Sequence, residues 1–255
     1  MLRKIVEAKR KRLTALDRVA YLRYLETLLQ HPLPLRSFRE AISVPGLSII
    51  AEFKRQSPSA GMIAAAADPV AQAKMYQASG AKAISILTEQ DHFGGSLEDL
   101  KHIKAAVQLP VLRKDFILEP LQALEARAYG ADAVLLITGL LGAGQMKVIM
   151  AEAGRLGIDC LCEVHSEKEI RIAVDCGADI IGINNRDLVT FAVDLSTTRR
   201  LRPLIPPHIA VVSESGIRSE ADARLVHSCG VDAILVGTEL MRTGNIQAKM
   251  KELQV

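Results

Sequence analysis

The sequence predicts an α/β fold, a (β/α)8 TIM barrel with extra N-terminal helices, on three observations. Short apolar, β-rich runs alternate with helical stretches after residue 46, as a parallel sheet with helical crossovers requires. A self-similar segment recurs four times along that alternating region. The length, 255 residues, suits one large barrel better than two ordinary domains.

Residues 1–46 read as a helical extension. Leu2, Ile5, Val6, Leu13 and Leu16 recur at helical spacing, and Leu22, Leu25, Leu28 and Leu29 repeat the pattern before the HPLPL segment at 31–35 breaks it. Residues 47–255 read as the barrel. Its expected strands are Leu47–Phe53, Ala83–Thr88, Pro110–Asp115, Ala133–Thr138, Cys160–His165, Ile180–Asn185, Ala210–Ser215 and Ala233–Thr238. Helix starts punctuate them. Asp68-Pro69 puts proline at a first helical position, Ser166-x-x-Glu169 has capping-box spacing, and Ser219-x-x-Asp222 is an acidic variant. The repeats begin at Gly80, Gly130, Gly177 and Gly230, each before an even-numbered strand, so one repeat spans two βα units. The glycine ends a helix in a left-handed cap.

Composition narrows the function. Apolar residues make up 49% and charged residues 24%, enough for a sizeable core and against disorder. A net charge of +3, no Trp and only 4% aromatic residues argue against nucleic-acid binding, and the basic run Lys9–Arg12 reads as a solvated helix face. No apolar run spans a bilayer, and the basic N-terminus lacks the apolar stretch of a signal peptide. Four cysteines without a disulfide pattern fit a reduced, cytoplasmic setting. Cys160 and Cys162 share one strand face and lack a second pair at zinc spacing, so no metal is expected. The Gly139-LLGAG segment lacks the Lys-Ser/Thr of a phosphate loop.

Barrel chemistry sits at the C-terminal strand ends. Here the first strand ends in Glu52 and Lys54, the third in Lys114, the fifth in Glu163, the sixth in Asn184 and Arg186, and the seventh in Glu214 and Ser215. Alternation places Glu52 and Lys54 on one face, and likewise Ser213 and Ser215. Charges converging there must be paired or functional. Ser215-Gly216 and Gly237-Thr238, on adjacent final strands, suit a phosphate, because glycine lets backbone N–H groups approach an anion.

These residues also sit in motifs that resemble indole-3-glycerol phosphate synthases. The stretch IAEFKRQSPSAG (50–61) is similar to the family's first-strand signature, and SILTEQDHFGGS, PVLRKDFI, LCEVH, GINNRDL-x-TF, SESGI and LVGTELMR follow in order over nearly the whole chain. The resemblance implies that Lys114 is the general acid and Glu163 the general base. It makes Lys54 and Glu52 an active-site pair, and sets Asn184 and Glu214 around the reacting ring. It puts Arg186 near the anthranilate carboxylate, and Ser57, Ser215, Gly216, Gly237 and Thr238 at the phosphate. Ala60 and His92 depart from the pattern, standing where a basic residue and an aromatic ring are common.

The implied reaction is ring closure, decarboxylation and dehydration of 1-(o-carboxyphenylamino)-1-deoxyribulose 5-phosphate. It needs no cofactor. The expected partner is that sugar-phosphate substrate alone, without nucleic acid or membrane, the chain being a monomer or weak homo-oligomer. Two other readings are open. A phosphoribosylanthranilate isomerase would want a cysteine on the first strand. A barrel that only binds a phosphorylated ligand would have lost the acid–base set.

Overall fold

The structure, a computed structural model, describes residues 2–58 and 61–255. Ala60, one of the two departures, lies outside the described residues. Eight parallel strands close into a barrel: β1 (Ser48–Phe53), β2 (Ala83–Leu87), β3 (Val111–Lys114), β4 (Ala133–Ile137), β5 (Asp159–Val164), β6 (Ile180–Asn184), β7 (Ala210–Glu214) and β8 (Ala233–Val236). Each pairs with its sequence neighbours, and β8 pairs with β1. Most expected strands run one residue too far at this end. Thr138 and Thr238 already begin helices, because the parallel ladder stops where the chain turns into its crossover.

Burial on both faces explains why the strands read as continuous apolar runs. Ile49, Ala51 and Phe53 face the helical layer, and their alternates turn inward. The inward faces are graded along the barrel axis. Ile50, Leu112, Leu161, Val212 and Leu235 fill the lower interior. Two residues further along the same faces come Glu52, Lys114, Glu163, Glu214 and Gly237. The period-two rule thus stacks one polar layer directly on an apolar one.

The repeats have a physical role. Gly80, Gly130, Gly177 and Gly230 all have φ between 83° and 94°. Asp132 and Asp232, two residues after their glycines, accept hydrogen bonds from Val111 N and Val211 N at 2.7 Å, tying the start of one strand to the preceding one. Asp132 also holds Lys104 Nζ at 2.6 Å, an ion pair without solvent access.

The N-terminal segment forms α1 (Leu2–Thr14), α2 (Arg18–Leu29) and α3 (Phe38–Ile42). Phe38 and Ile42 plug the bottom of the barrel, and Asp159 Oδ2 of β5 accepts from Phe38 N and Arg39 N, capping α3 from outside it. At the other end, Lys9 of α1 pairs with Asp115 at 2.7 Å.

The crossover helices that matter below are α4 (Pro69–Ala78), α5 (Leu97–Ala106), α6 (Pro120–Ala128), α7 (Thr138–Arg155), α8 (Glu167–Asp175), α9 (Ser196–Leu201), α10 (Glu220–Ser228) and α11 (Thr238–Arg242); α12 (Ile246–Leu253) closes the chain. Asp68 caps α4 ahead of Pro69, and Ser219 with Asp222 forms a complete capping box. Ser166 caps α8, but its expected box is half made: Glu169 turns its carboxylate to His165 instead. Among the described residues no helix is long and apolar enough to cross a membrane.

Candidate active site

A cavity of about 530 Å³ opens at the C-terminal ends of the strands. It is lined by Glu52, Lys54, Ser57, Lys114, Glu163, Asn184, Arg186, Ser215, Gly216, Gly237 and Thr238. Of the twelve residues singled out in the sequence, only Glu214 is absent from the wall. It is fully buried beneath it and holds Lys114 by a salt bridge.

Two ammonium groups and three carboxylates make the floor. Lys54 Nζ lies 2.6 Å from one oxygen of Glu52, and Lys114 Nζ lies 3.7 Å from the other. Burial alone would lower the Lys114 pKa, but Glu214, Glu52 and Glu163 outweigh it and the net shift is upward. Burial likewise opposes ionisation of Glu52, yet Lys54 and Lys114 keep it low. Glu214 goes the other way, up to about 7, because burial and then Glu163 exceed the help from Lys114. Burial is the larger cause, and repulsion from Glu163 and Glu52 adds to it, so this carboxylate binds its proton more tightly.

Glycine makes the room. A Cβ at Gly237 would stand 2.9 Å from Lys54 Nζ and 3.1 Å from Glu52 Cβ, so this glycine has a packing reason of its own. Gly182 does the same for Glu214.

One expectation about side-chain direction is corrected. Ser213 and Ser215 do not share a face. Ser213 bonds Asn185 and Thr198 in the outer layer, whereas Ser215 adopts φ 66° and lines the cavity. Alternation ends with the strand, and Asn185 imposes the new direction, donating to the Glu214 and Ser215 carbonyls at 3.0 and 3.1 Å. His92 hydrogen-bonds Glu89, while the adjacent Phe93 lines the cavity.

Sequence reasoning missed the apolar wall: Leu2 and Ile5 from α1, with Phe93, Phe116, Leu188 and Phe191. Phe93, Phe116 and Phe191 stand inside the quoted motifs, where no charge marks them. Nothing local in Leu2 or Ile5 signals the site, since α1 reaches it only through tertiary packing. Arg218, also on the wall, lies near enough to Arg186 to lower its pKa, second to burial. Arg186 N–H donates to Asn184 Oδ1 and its guanidinium to the Phe191 carbonyl.

The remaining sequence candidates fall outside the cavity. Cys162 is buried in the strand–helix layer with Cys160 packed against the same layer, and burial pushes Cys160 up to about 12, away from the reactive thiolate. Among the described residues, no group of three or more His, Cys, Asp or Glu could hold a metal. Gly139-LLGAG opens α7 directly from β4, with a kink at Gly142.

Comparison with known proteins agrees with this geometry. The protein-family model for indole-3-glycerol phosphate synthase matches residues 2–253. An indole-3-glycerol phosphate synthase of Dehalococcoides mccartyi (strain CBDB1) is 48% identical over 231 residues, 89% of each chain. One from Aquifex aeolicus is 46% identical over 91% of each. Among solved structures, 3-hexulose-6-phosphate synthase from Salmonella typhimurium superposes with a TM-score of 0.66 over 81% of this chain and 96% of that one. Thiamine phosphate pyrophosphorylase from Pyrococcus furiosus does so at 0.60 over 85% and 96%. At 12% and 20% identity these two share the fold. The chain therefore belongs to the indole-3-glycerol phosphate synthase family, and its activity is that of a carboxy-lyase of tryptophan biosynthesis, acting on a small phosphorylated substrate.

Proposed function

We propose that the charged floor divides the steps of indole-3-glycerol phosphate formation among its residues. In ring closure, the aromatic carbon bearing the carboxylate bonds to the ketone carbon, and the carbonyl oxygen takes a proton. Lys114 gives that proton: its ammonium is buried, held by Glu214, and faces the cavity. The carbon–carboxylate bond then breaks, releasing CO2 and returning its electron pair to the ring. Dehydration follows. An acid protonates the leaving hydroxyl and a base removes the neighbouring proton. Glu163 is the base, and Lys54, on the other oxygen of Glu52, serves the hydroxyl.

The two ends of the substrate need clamps. Arg186 takes the carboxylate. Ser57, Ser215, Gly216, Gly237 and Thr238 take the phosphate, Thr238 standing in the first turn of α11, whose N–H groups lack intrahelical partners. Asn184 orients Arg186 through its backbone. The observation that carries this reading is the pair of ammonium groups sharing Glu52, with Glu163 facing the same cavity. The steps call for protons and charge stabilisation only, so we propose no cofactor. We also propose a cytoplasmic setting, no nucleic-acid or membrane partner, and a monomer or weak homo-oligomer. Turnover of the synthetic substrate, followed by product absorbance and fluorescence, tests the reading. Lys114→Ala is expected to fold and to show little ring closure; near-normal turnover in that variant rejects the assignment of the acid.

A further inference from the structure

Among the described residues no protein donor hydrogen-bonds the Glu163 carboxylate; it shares the cavity floor with Lys114, and its ion-pair partner is His165, whose Nε2 lies 3.4 Å from Glu163 Oε1. That nitrogen is buried and, among the described residues, has no hydrogen-bond partner. The other ring nitrogen, Nδ1, lies 3.4 Å from Glu169 Oε2. Glu169 is fixed in turn, because the same oxygen accepts from His165 N at 2.8 Å. Gly139 at the start of α7 leaves space for it: a Cβ there would stand 2.9 Å from Glu169 Oε1. The half-made capping box and the glycine-rich segment that binds no phosphate thus meet at one place, behind the proposed base.

We infer that His165 is a positioning residue for Glu163, an imidazolium held between Glu169 and Glu163 that fixes the orientation and charge of the reacting carboxylate. This rests on Glu163 being the base. Among the described residues, the charged groups that face the ring are Glu163 from β5, Glu169 from α8, Glu214 from β7 and, at longer range, Asp187 from the loop after β6. All are carboxylates. Burial opposes the imidazolium, but Glu169, Glu163 and Glu214 outweigh it and the ring holds its proton above 6.5. A carboxylate–imidazole–carboxylate line keeps a base remote from solvent aimed; the ring transfers no proton to substrate.

Three variants, His165→Asn, Glu169→Gln and Glu163→Gln, with pH profiles of kcat, KM and the ring 15N titration of His165, test this. In the unaltered chain kcat should fall as pH rises through the His165 titration. In Glu169→Gln that descending limb and the ring titration should move together to lower pH. In His165→Asn the limb should vanish and kcat drop about tenfold with KM little changed. Glu163→Gln should abolish turnover. If Glu163→Gln is inactive while Glu169→Gln leaves kcat and its pH profile unmoved, the positioning role is overturned and the base stands. Near-normal turnover by Glu163→Gln overturns the base and the inference together. A change in KM or thermal stability alone in Glu169→Gln also overturns it, and this variant decides if His165→Asn does not fold.

Discussion

Gly182→Ala tests the polar layer through a residue that touches neither the cavity nor any candidate ligand. Gly182 faces inward on β6, and an added Cβ would stand less than 3.0 Å from Glu214 Oε1 and 3.3 Å from Leu161 Cδ1. Real Cβ atoms do not approach so closely, and Glu214 is fully enclosed. Its carboxylate must move on the order of 1 Å to restore van der Waals contact. Lys114 is bonded to that carboxylate and moves with it. A displacement of that size at a reacting group costs about a hundredfold in rate, or about 2.7 kcal/mol of transition-state stabilisation. The overpacking itself costs about 1–3 kcal/mol of stability, which a barrel of ordinary stability survives. The assay is steady-state product formation on folded protein, with thermal unfolding alongside. Gly154→Ala in α7 is the control, since its new Cβ meets nothing within 4 Å; it should leave kcat unchanged. If Gly182→Ala retains kcat within about threefold, Lys114 is not positioned by Glu214 in the way their salt bridge implies.

Other consequences concern stability. Lys104→Met strands Asp132 without its cation beneath the barrel, so unfolding by denaturant should show a loss of about 3–5 kcal/mol with kcat intact, the pair lying far from the mouth. Asp115 has its pKa lowered to about 2, since Arg113 and Lys9 overcome the opposing effect of burial. Its contribution is present above the unfolded value of 3.8 and disappears as pH falls through about 2. The stability gap between the unaltered chain and Asp115→Asn should therefore shrink by about 2 kcal/mol between pH 5 and pH 2; parallel acid curves reject the ion-pair account. His165 has the opposite sign. Its raised pKa stabilises below 6.5, and that contribution is lost as pH rises through the folded value. The gap to His165→Asn should be wider at pH 6 than at pH 9, read by urea unfolding.

The sequence by itself determined the barrel and the membership of its polar layer. Short-range rules suffice for both: alternation puts Glu52 above Ile50 and Glu163 above Leu161, and glycine caps mark where each even-numbered strand begins. The family motifs then name the chemistry, because their order along the chain restates the order of the strand ends. What lay beyond the sequence was whatever depends on contact between segments far apart. Leu2 and Ile5 reach the cavity because Lys9 ties α1 to Asp115, more than a hundred residues away. Ser215 turns into the cavity because Asn185, just past the end of the neighbouring strand, holds its carbonyl, against the alternation that its own strand suggests. Glu169, which local spacing assigns to a helix cap, spends its carboxylate on His165. In each case a local preference of about 1 kcal/mol yields to a partner supplied by the closed barrel. Periodicity follows from the geometry of one strand, but the direction of a side chain at a strand end is decided by which neighbour arrives there.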